Sequence, residues 1–273
     1  MTGDGARLGR RIAEGREAEI FEWDEGLVLR LARGPEWAAS VALGSAASEA
    51  ARTAGVRTPR VVETVEIDGR PGQVLERVDG PDLFAVLGAN PLRLPTIARR
   101  LAEVHVGLHR VVAPAALPST RDELARRIDG SPLVPPDLRV GALELLGDLP
   151  DGDRLCHGDF HPGNVLDAAD GPTLIDWTNA TRGDPASDFA RTVLTLRVGE
   201  VPPGAPGAIR MLAVIGRGAL WRGYRRAYLG ACGLDTGLVH RWTHVAAANR
   251  LAEGIESERP ALLRLLSTGF PQR

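Results

Sequence analysis

The sequence predicts an α+β fold with two unequal parts, a small β-rich N-terminal lobe and a larger, mainly α-helical C-terminal lobe. Short β-rich runs separated by turn signals fill the N-terminal third of the chain. After Gly80 and Pro81, apolar residues recur instead with the 3.6-residue period of helices. The 273 residues are 44% hydrophobic and 25% charged, which is ordinary globular composition. We expect an N-terminal lobe over residues 1–79, a hinge at about 76–80 and a C-terminal lobe over 80–273.

The N-terminal lobe is predicted to hold a small sheet with one helix packed on it. The helix is expected over residues 35–54, because Pro35 suits its first turn and Gly55 suits the cap that follows its last turn. The predicted strands are residues 18–23, 26–31, 61–67 and 72–78.

The C-terminal lobe is predicted to be helical apart from one short β-rich stretch. Residues 94–111 give the clearest helix, with an apolar face at Leu94, Ile97, Leu101, Val104 and Leu108. Further helices are predicted at residues 122–128, 137–146, 186–198, 208–229, 238–251 and 261–266. The predicted strands are residues 155–156, 165–167 and 173–175, with a turn over residues 169–172. A cleft is expected where the two lobes meet.

Charge and hydropathy disfavour two classes of partner. The formal net charge is −2, and neither lobe has the basic excess that is typical of nucleic-acid binding. The apolar stretch at residues 211–221 is far too short to span a membrane, and the N-terminus lacks the pattern of a secretory signal. We therefore expect a cytoplasmic protein without nucleic-acid or membrane partners. All 33 basic residues are arginine, so any fixed cation must be an arginine.

Asp159, Asn164 and Asp176 are the most informative polar residues, because each stands beside an apolar strand run. Asp159 and Asn164 are five positions apart, and Asp176 closes the next strand, 12 residues after Asn164. A β-hairpin between them would bring the three carboxylate and amide groups together. Oxygen ligands of this kind suit Mg²⁺, which usually keeps some waters and shares its ligand shell with phosphates.

Two other interpretations of this cluster stay open. A metal-dependent hydrolase could use His157 and His161, although the intervening glycine and the proline that follows oppose the helix that would align them. That interpretation also leaves Asn164 unexplained, since a neutral amide is a poor ligand for a soft metal. The second alternative is a purely structural cluster of polar side chains.

Phosphoryl transfer explains more of the pattern. In kinases the catalytic loop has an aspartate followed five positions later by an asparagine, and a metal-binding aspartate follows the next hairpin. Asp159, Asn164 and Asp176 have that order and spacing. Asp159 would then accept the proton of the substrate hydroxyl, while Asn164 and Asp176 would hold Mg²⁺ on the nucleotide phosphates.

Three motifs carry a resemblance to a known family. Residues 157–164 read His-Gly-Asp-Phe-His-Pro-Gly-Asn, residues 175–177 read Ile-Asp-Trp, and residues 183–190 read Gly-Asp-Pro-Ala-Ser-Asp-Phe-Ala. With them the sequence resembles the aminoglycoside phosphotransferase and choline kinase-like enzymes, which are relatives of the protein kinase fold. The resemblance implies a bilobal protein kinase-like fold, with a catalytic base at Asp159 and magnesium ligands at Asn164 and Asp176. The residues that it implies as supports of the catalytic loop are His157, Asp184 and Asp188.

The nucleotide is expected in the cleft between the lobes. Gly15, the single glycine of residues 13–21, lies where a phosphate-covering loop would present backbone N–H groups, although an ordinary hairpin turn would look the same. Arg30 is a charge in an apolar strand; it either points to solvent or, where the family commonly has lysine, contacts the α- and β-phosphates. The family pattern gives that cation a helix glutamate as its partner, which Glu49 could supply. Glu76 and Val78 would present hinge backbone groups to the base, an arrangement that does not distinguish ATP from GTP.

The expected reaction is transfer of the γ-phosphate of ATP or GTP to a hydroxyl of a small molecule such as an aminoglycoside, with Mg²⁺ as cofactor. Helices after residue 190 should select the acceptor. Their aromatic and acidic residues either form a pocket for a cationic substrate or serve only as core and solvated surface. The residues of that candidate pocket are Trp221, Tyr224, Tyr228, Asp235, Trp242, Glu253, Glu256 and Glu258. A non-catalytic nucleotide-binding pseudokinase and, less favoured, the metal-dependent hydrolase are the alternatives. The oligomeric state stays open.

Overall fold

A computed structural model describes residues 8–199 and 207–269. The N-terminal part contains one antiparallel sheet of five strands in the order β1-β2-β3-β5-β4. Its strands are β1 (Arg11–Glu14), β2 (Ala18–Glu22), β3 (Leu27–Ala32), β4 (Val61–Ile67) and β5 (Arg70–Glu76). Four of these strands confirm the sequence prediction to within two residues at each end, and β1 was not predicted.

The inner face of the sheet is small and apolar. Phe21, Leu29, Leu31 and Val74 form a separate buried cluster there. Arg30 stands between two of these leucines on β3, opposite polar and apolar neighbours on the adjoining strands. The strand therefore holds one positively charged side chain at a defined position in an otherwise apolar element.

The helix of this lobe begins as a short 3₁₀ turn at Pro35–Trp37 and continues as α1 (Ala38–Thr53). It ends as predicted at Gly55, whose φ of +88° is a left-handed conformation that glycine adopts without steric cost. In its middle, Gly44 brings the helix backbone against the carbonyl group of Trp177 in the C-terminal part. The helix therefore connects the two parts of the molecule by close backbone packing.

The C-terminal part is helical, as predicted. Its helices are α2 (Leu83–Ala89), α3 (Leu94–Leu108), α4 (Thr120–Asp129), α5 (Pro136–Gly147), α6 (Pro185–Val198), α7 (Gly207–Cys232), α8 (Thr236–Ala252) and α9 (Arg259–Gly269). α3 packs on α7, and α6 packs on α8 around the main hydrophobic core. The short helix α2 was not predicted. Among the described residues, no helix combines the length and the apolarity needed to cross a membrane.

Two small antiparallel pairs of strands interrupt these helices. β6 (Arg154–Cys156) pairs with β9 (Thr181–Gly183), and β7 (Val165–Ala168) pairs with β8 (Gly171–Leu174) in a hairpin. The hairpin was predicted, although its turn is shorter than expected, and β9 was not. The loop after β6 and the segment after β8 contain the polar residues that the sequence singles out, and the connection from β5 to α2 joins the two lobes.

Candidate active site

The loop between β6 and β7 is shaped by glycine and by a capped turn. Gly158 has a φ of +77°, and a Cβ atom there would clash with the carbonyl oxygen of Asn179, so the position requires glycine. His161 caps the 3₁₀ helix Pro162–Asn164, because its Nδ1 accepts a hydrogen bond from the Gly163 N–H at 3.1 Å. This local geometry fixes the path of the backbone on both sides of Asp159.

The side chain of Asp188, near the start of α6, binds the backbone of the same loop. Its buried carboxylate accepts the His157 N–H at 2.6 Å and the Gly158 N–H at 3.0 Å. Burial alone would raise the pKa of Asp188, but hydrogen bonds from His105 and His109 outweigh it and hold the pKa well below its usual range. A charged carboxylate is therefore fixed beneath two consecutive amides, immediately before the predicted catalytic position.

Two buried histidines of α3 support this anchor. The Nε2 atoms of His105 and His109 lie 3.1 and 3.3 Å from Asp188 Oδ2, and their Nδ1 atoms lie 2.6 and 2.5 Å from the hydroxyls of Tyr224 and Tyr228. Burial lowers the pKa of His105 to about 3, so this imidazole is neutral at pH 7. The donor atoms of the two histidines and Asp188 converge as metal ligands would, but each ring nitrogen is already engaged. The cluster is a hydrogen-bonded brace.

Asp159 lies at the surface of the loop with its side chain 29% exposed. Its Oδ2 is 3.5 Å from His161 Nε2, and its Oδ1 is 3.6 Å from Arg191 Nη2. Because His161 Nδ1 accepts from the Gly163 N–H, the ring proton resides on Nε2 and faces the carboxylate. Burial opposes ionisation of Asp159, but His161 and Arg191 outweigh it and hold the pKa well below its usual range. The carboxylate is therefore an acceptor at neutral pH.

The β7–β8 hairpin brings Asn164 and Asp176 together. The Ile175 N–H donates to the Asn164 carbonyl at 2.9 Å, so the next residue, Asp176, follows directly beside the asparagine. Asn164 Nδ2 donates to the carbonyl oxygen of Asp159 at 2.9 Å, which leaves the amide oxygen directed away from that contact. An amide oxygen and a carboxylate are hard donors, so this pair fits Mg²⁺ and could hold it.

Asp176 occupies a strained backbone position beside a buried cation. Its φ is +63°, in the left-handed region that aspartate adopts only where the surroundings hold it. Its Oδ1 accepts a hydrogen bond from Arg30 Nη2 at 3.0 Å and lies 2.8 Å from the hydroxyl of Thr178. Arg30 is only 7% exposed, so it is not the solvent-facing side chain that an alternating strand would allow. Hydrogen bonds link Arg30 to Asp176 and Asn164 to Asp159, and the backbone contact of Ile175 with Asn164 joins the two pairs, so four of the predicted residues lie in one cluster.

Comparison of the sequence with models of protein families finds one that spans most of the chain. The model is that of the phosphotransferase enzyme family, and it matches residues 9–229. The chain belongs to this family. The assignment confirms the resemblance that the sequence motifs indicate and the prediction of a phosphotransferase. No curated protein matches the sequence of this phosphotransferase.

Solved structures of aminoglycoside phosphotransferases share the fold of this phosphotransferase. A thermostable mutant of APH(4)-Ia, in ternary complex with AMP-PNP and hygromycin B, has a TM-score of 0.65 at 17% identity, covering 95% of this chain and 91% of that one. The GDP complex of aminoglycoside 2'-phosphotransferase-IIIa has a TM-score of 0.58 at 19% identity, covering 96% and 92%. Aminoglycoside-3'-phosphotransferase of type VIII has a TM-score of 0.59 at 22% identity, covering 88% and 91%. These likenesses confirm the predicted bilobal protein kinase-like fold.

Gly15, Glu76 and Val78 are the remaining predicted nucleotide residues of this phosphotransferase. Gly15 is exposed in the loop between β1 and β2, where its carbonyl accepts a hydrogen bond from Arg33 Nε at 3.0 Å. Glu76 ends β5 and Val78 follows it, and both border a cavity of about 540 Å³ beside the predicted hinge. Neither Gly15 nor Arg30 borders that cavity. The structure therefore does not bring the hinge side chains together with Arg30.

Whether Glu49 partners Arg30, which the sequence left open, is answered by the position of Glu49 on α1. Glu49 is exposed on α1 and binds Arg52 at 2.6 and 2.9 Å, so its carboxylate faces solvent rather than the cleft. α1 approaches the cleft at Gly44, which has no side chain to offer. The sequence identified the acid on the helix but had no means of telling which face of α1 the cleft borders.

Of the two interpretations of the aromatic and acidic residues after residue 190, the structure favours core packing over a pocket. Tyr224, Tyr228 and Trp242 are buried in the core, and Asp235 caps α8 through the backbone N–H groups of its first turn. Glu258 is also buried, where Arg250 binds it at 2.7 and 2.8 Å. These side chains serve the core, the cap of α8 and an ion pair.

Arg191 is a site residue that the sequence analysis missed. It reaches Asp159 from α6 at 3.6 Å and binds Glu253 at 2.6 Å, which also neutralises that proposed pocket acid. A signal existed, because Arg191 follows the anchor Asp188 by three residues on one helix and such residues share a face. Its guanidinium connects the catalytic loop to α8.

Proposed function

We propose that this phosphotransferase transfers the γ-phosphate of ATP or GTP to a hydroxyl of a small molecule, such as an aminoglycoside, with Mg²⁺ as cofactor. One observation carries the proposal: an ionised carboxylate, an amide beside a second carboxylate, and a buried arginine lie in one cluster where the N-terminal sheet meets the loops of the C-terminal part. These groups are Asp159, the pair Asn164 and Asp176, and Arg30. Phosphoryl transfer needs these parts because its catalysis is mostly positioning and charge stabilisation.

Asp159 would receive the acceptor hydroxyl. Its low pKa keeps it ionised, so it orients the hydroxyl by accepting its hydrogen bond and takes the proton as the bond to phosphorus forms. His161 and Arg191 would hold the carboxylate in place, since each lies near a different one of its two oxygens. The chain thus supplies an oriented acceptor of the proton rather than a strong base.

Asn164, Asp176 and Arg30 would hold the phosphates of the donor. The amide oxygen of Asn164 and the carboxylate of Asp176 would bind Mg²⁺, which when bound neutralises charge on the β- and γ-phosphates. Arg30 would contribute a fixed charge with a planar fork of donors, which suits phosphate oxygens. The short distance between Arg30 and Asp176 supports a single site for Mg²⁺ and the nucleotide phosphates.

The relatives of known structure support the choice of substrates. APH(4)-Ia is seen with AMP-PNP and hygromycin B, and aminoglycoside 2'-phosphotransferase-IIIa is seen with GDP. A nucleoside triphosphate donor and an amino-sugar acceptor are therefore the first substrates to test. Choline-like alcohols and neutral sugars belong in the same screen, because the structure favours core packing over an acidic pocket.

Calorimetric titration with ATP and GTP, each with and without Mg²⁺, tests the proposal. We expect magnesium-dependent binding of at least one nucleotide, lost when Asp176→Ala removes the carboxylate. Binding followed by phosphate transfer to a hydroxyl in the screen supports the kinase; binding without transfer to any acceptor or to water indicates the pseudokinase. Failure to bind either nucleotide would overturn the proposed function, and hydrolysis that depends on a transition metal without nucleotide would indicate the hydrolase.

A further inference from the structure

The loop between β1 and β2 places one acidic side chain against the segment that follows β8. Glu17 is half-buried, and its Oε2 lies 3.0 Å from the hydroxyl of Thr178, in the segment that follows β8. Its backbone carbonyl accepts the N–H of Arg33 at 2.9 Å, which ties it to the end of the strand that carries Arg30. A carboxylate is unusual in a loop expected to cover phosphates, because its negative charge would repel them. Its presence therefore needs another explanation.

The hydroxyl of Thr178 is the meeting point of three groups. It lies 3.0 Å from Glu17 Oε2, 2.8 Å from Asp176 Oδ1 and 3.4 Å from Arg30 Nη2. Arginine only donates and carboxylates only accept, so the hydroxyl accepts from Arg30 and gives its single proton to one of the two acids. With its proton directed to Glu17, the hydroxyl connects Glu17 to Arg30 through one side chain, while Asp176 keeps its direct bond from Arg30.

No helix carboxylate takes this place in the described structure. Kinases pair the strand cation with a glutamate of the helix that follows. Here Glu49 is the only acid on α1, and it binds Arg52 at the surface. At Gly44 the helix backbone is so close to Trp177 that even a Cβ atom would lie 3.1 Å from its carbonyl oxygen.

The surroundings of Glu17 also show that it belongs to the cleft. Burial raises the pKa of Glu17 and the negative charges of Asp176 and Asp159 add to that effect, whereas the hydrogen bond to Thr178 and the positive charge of Arg30 oppose it. The side chain is therefore enclosed with the groups that border the proposed phosphate site. Glu19, two residues later on β2, instead binds Arg70 at the start of β5 at 2.6 Å.

We propose that Glu17 is a positioning residue that replaces the missing helix glutamate, holding Arg30 through Thr178 in the orientation that binds nucleotide phosphates. The inference rests on the proposed function, because it assumes that Arg30 contacts those phosphates. In this proposal the glycine-poor loop between β1 and β2 positions the side chain of Glu17, rather than binding phosphate through its backbone alone.

Calorimetric titration of the full chain with Mg·ATP and Mg·GTP tests this role, using whichever nucleotide the unaltered protein binds. We expect Glu17→Ala and Thr178→Val each to weaken binding about tenfold, the equivalent of one hydrogen bond to a charged group. Thr178→Ser, which keeps the hydroxyl, should restore affinity, and the double variant should be no weaker than either single variant. Glu49→Gln is the matched control and should bind normally.

Because the nucleotide is negatively charged, the direction in which Glu17→Ala changes its affinity decides the test. Removing a negative charge near the phosphates would by itself tighten binding, so unchanged or tighter binding by Glu17→Ala overturns the inference while the proposed function stands. Additive effects of Glu17→Ala and Thr178→Val would also overturn it. Glu17→Gln, which keeps the shape, replaces the alanine variant if thermal unfolding shows that the latter is not folded. Absence of binding by the unaltered protein would instead overturn the proposed function, and this inference with it.

Discussion

Arg30 and Asp176 form an ion pair that joins the N-terminal sheet to the segment after β8. Nη2 of Arg30 lies 3.0 Å from Oδ1 of Asp176, across 146 positions of sequence. The arginine is almost fully buried, whereas the aspartate side chain is 37% exposed, so the pair has one desolvated and one hydrated partner. The cation of one lobe thus lies directly against the proposed metal ligand of the other.

Arg30→Met should weaken nucleotide binding and loosen the contact between the lobes. We expect at least a tenfold loss of Mg·ATP affinity, and a decrease of about 1–3 kcal/mol in the free energy of unfolding, since Asp176 is partly screened by water. Calorimetry and denaturant unfolding measure the two effects. Arg30→Lys is the matched variant: it keeps the charge but not the planar fork, so it should recover stability more fully than affinity. Equal affinity in all three proteins would contradict the role of Arg30.

Asp159→Asn should separate binding from transfer. The asparagine keeps the shape of the side chain but can no longer take a proton, so the transfer rate should fall by about a hundredfold or more. The dissociation constant for Mg·ATP should change by less than about threefold, because Asp159 faces the acceptor rather than the donor. Single-turnover transfer to the best acceptor of the screen, together with calorimetry, checks both. Full transfer activity in this variant would remove Asp159 from its proposed role.

The parts of the fold with local signals were predictable from sequence. α3 and α8 lie within three residues of their predicted ends, because apolar periodicity and capping residues are encoded along the helix itself. The hairpin that brings Asn164 and Asp176 together follows from apolar strands around a turn. The spacing from Asp159 to Asn164 indicated their juxtaposition because kinases use the same order.

The parts that were missed depend on contacts between distant segments. All four residues of β1 (Arg11–Glu14) are exposed, so the strand has no apolar alternation to detect. α2 (Leu83–Ala89) is only two turns long, too short for a periodic pattern, although its N-cap Asp82 was a usable sign. Nothing local separates Glu17, which faces the cleft, from Glu49, which faces solvent; tertiary packing alone decides between them.

Asp188→Asn should destabilise the protein strongly. An amide cannot accept from two backbone N–H groups and two imidazoles at once, so at least one buried donor would lose its partner. We expect a loss of about 3 kcal/mol in the free energy of unfolding, measured by denaturant titration. Asp184→Asn is the control: Asp184 caps α6 through the Ala186 N–H at 2.7 Å, and asparagine caps helices equally well, so its cost should be below about 0.5 kcal/mol. Similar costs for the two variants would contradict the anchoring role.

The buried brace should make stability fall in acid. His105 has a pKa of about 3 in the folded protein against 6.5 as its ordinary value, so between these pH values only the unfolded chain takes up this proton. Stability should therefore decrease as pH falls from about 6.5 toward 3, by about 1.4 kcal/mol per pH unit from this group. Asp188 acts in the same direction: its depressed pKa contributes stability at neutral pH, which is lost as pH falls through the acid range. His105→Gln should give a shallower slope between pH 6 and 4, and an unchanged slope would contradict the assignment.

Gly44→Ala and Gly216→Ala should have opposite effects although both lie inside helices. Alanine in a helix interior is favoured over glycine by about 0.5–1 kcal/mol, and a Cβ atom on Gly216 of α7 meets nothing within 4 Å, so that variant should be stabilised by this amount. On Gly44 of α1 the same atom lies 3.1 Å from the Trp177 carbonyl oxygen, and overpacking typically costs 1–3 kcal/mol, more than the helix gains. Denaturant unfolding measures both free energies. Because Trp177 follows Asp176 directly, Gly44→Ala should also weaken Mg·ATP binding, which Gly216→Ala should leave unchanged. If Gly44→Ala were stabilised as much as Gly216→Ala, the helix would not be packed on the catalytic segment by direct backbone contact.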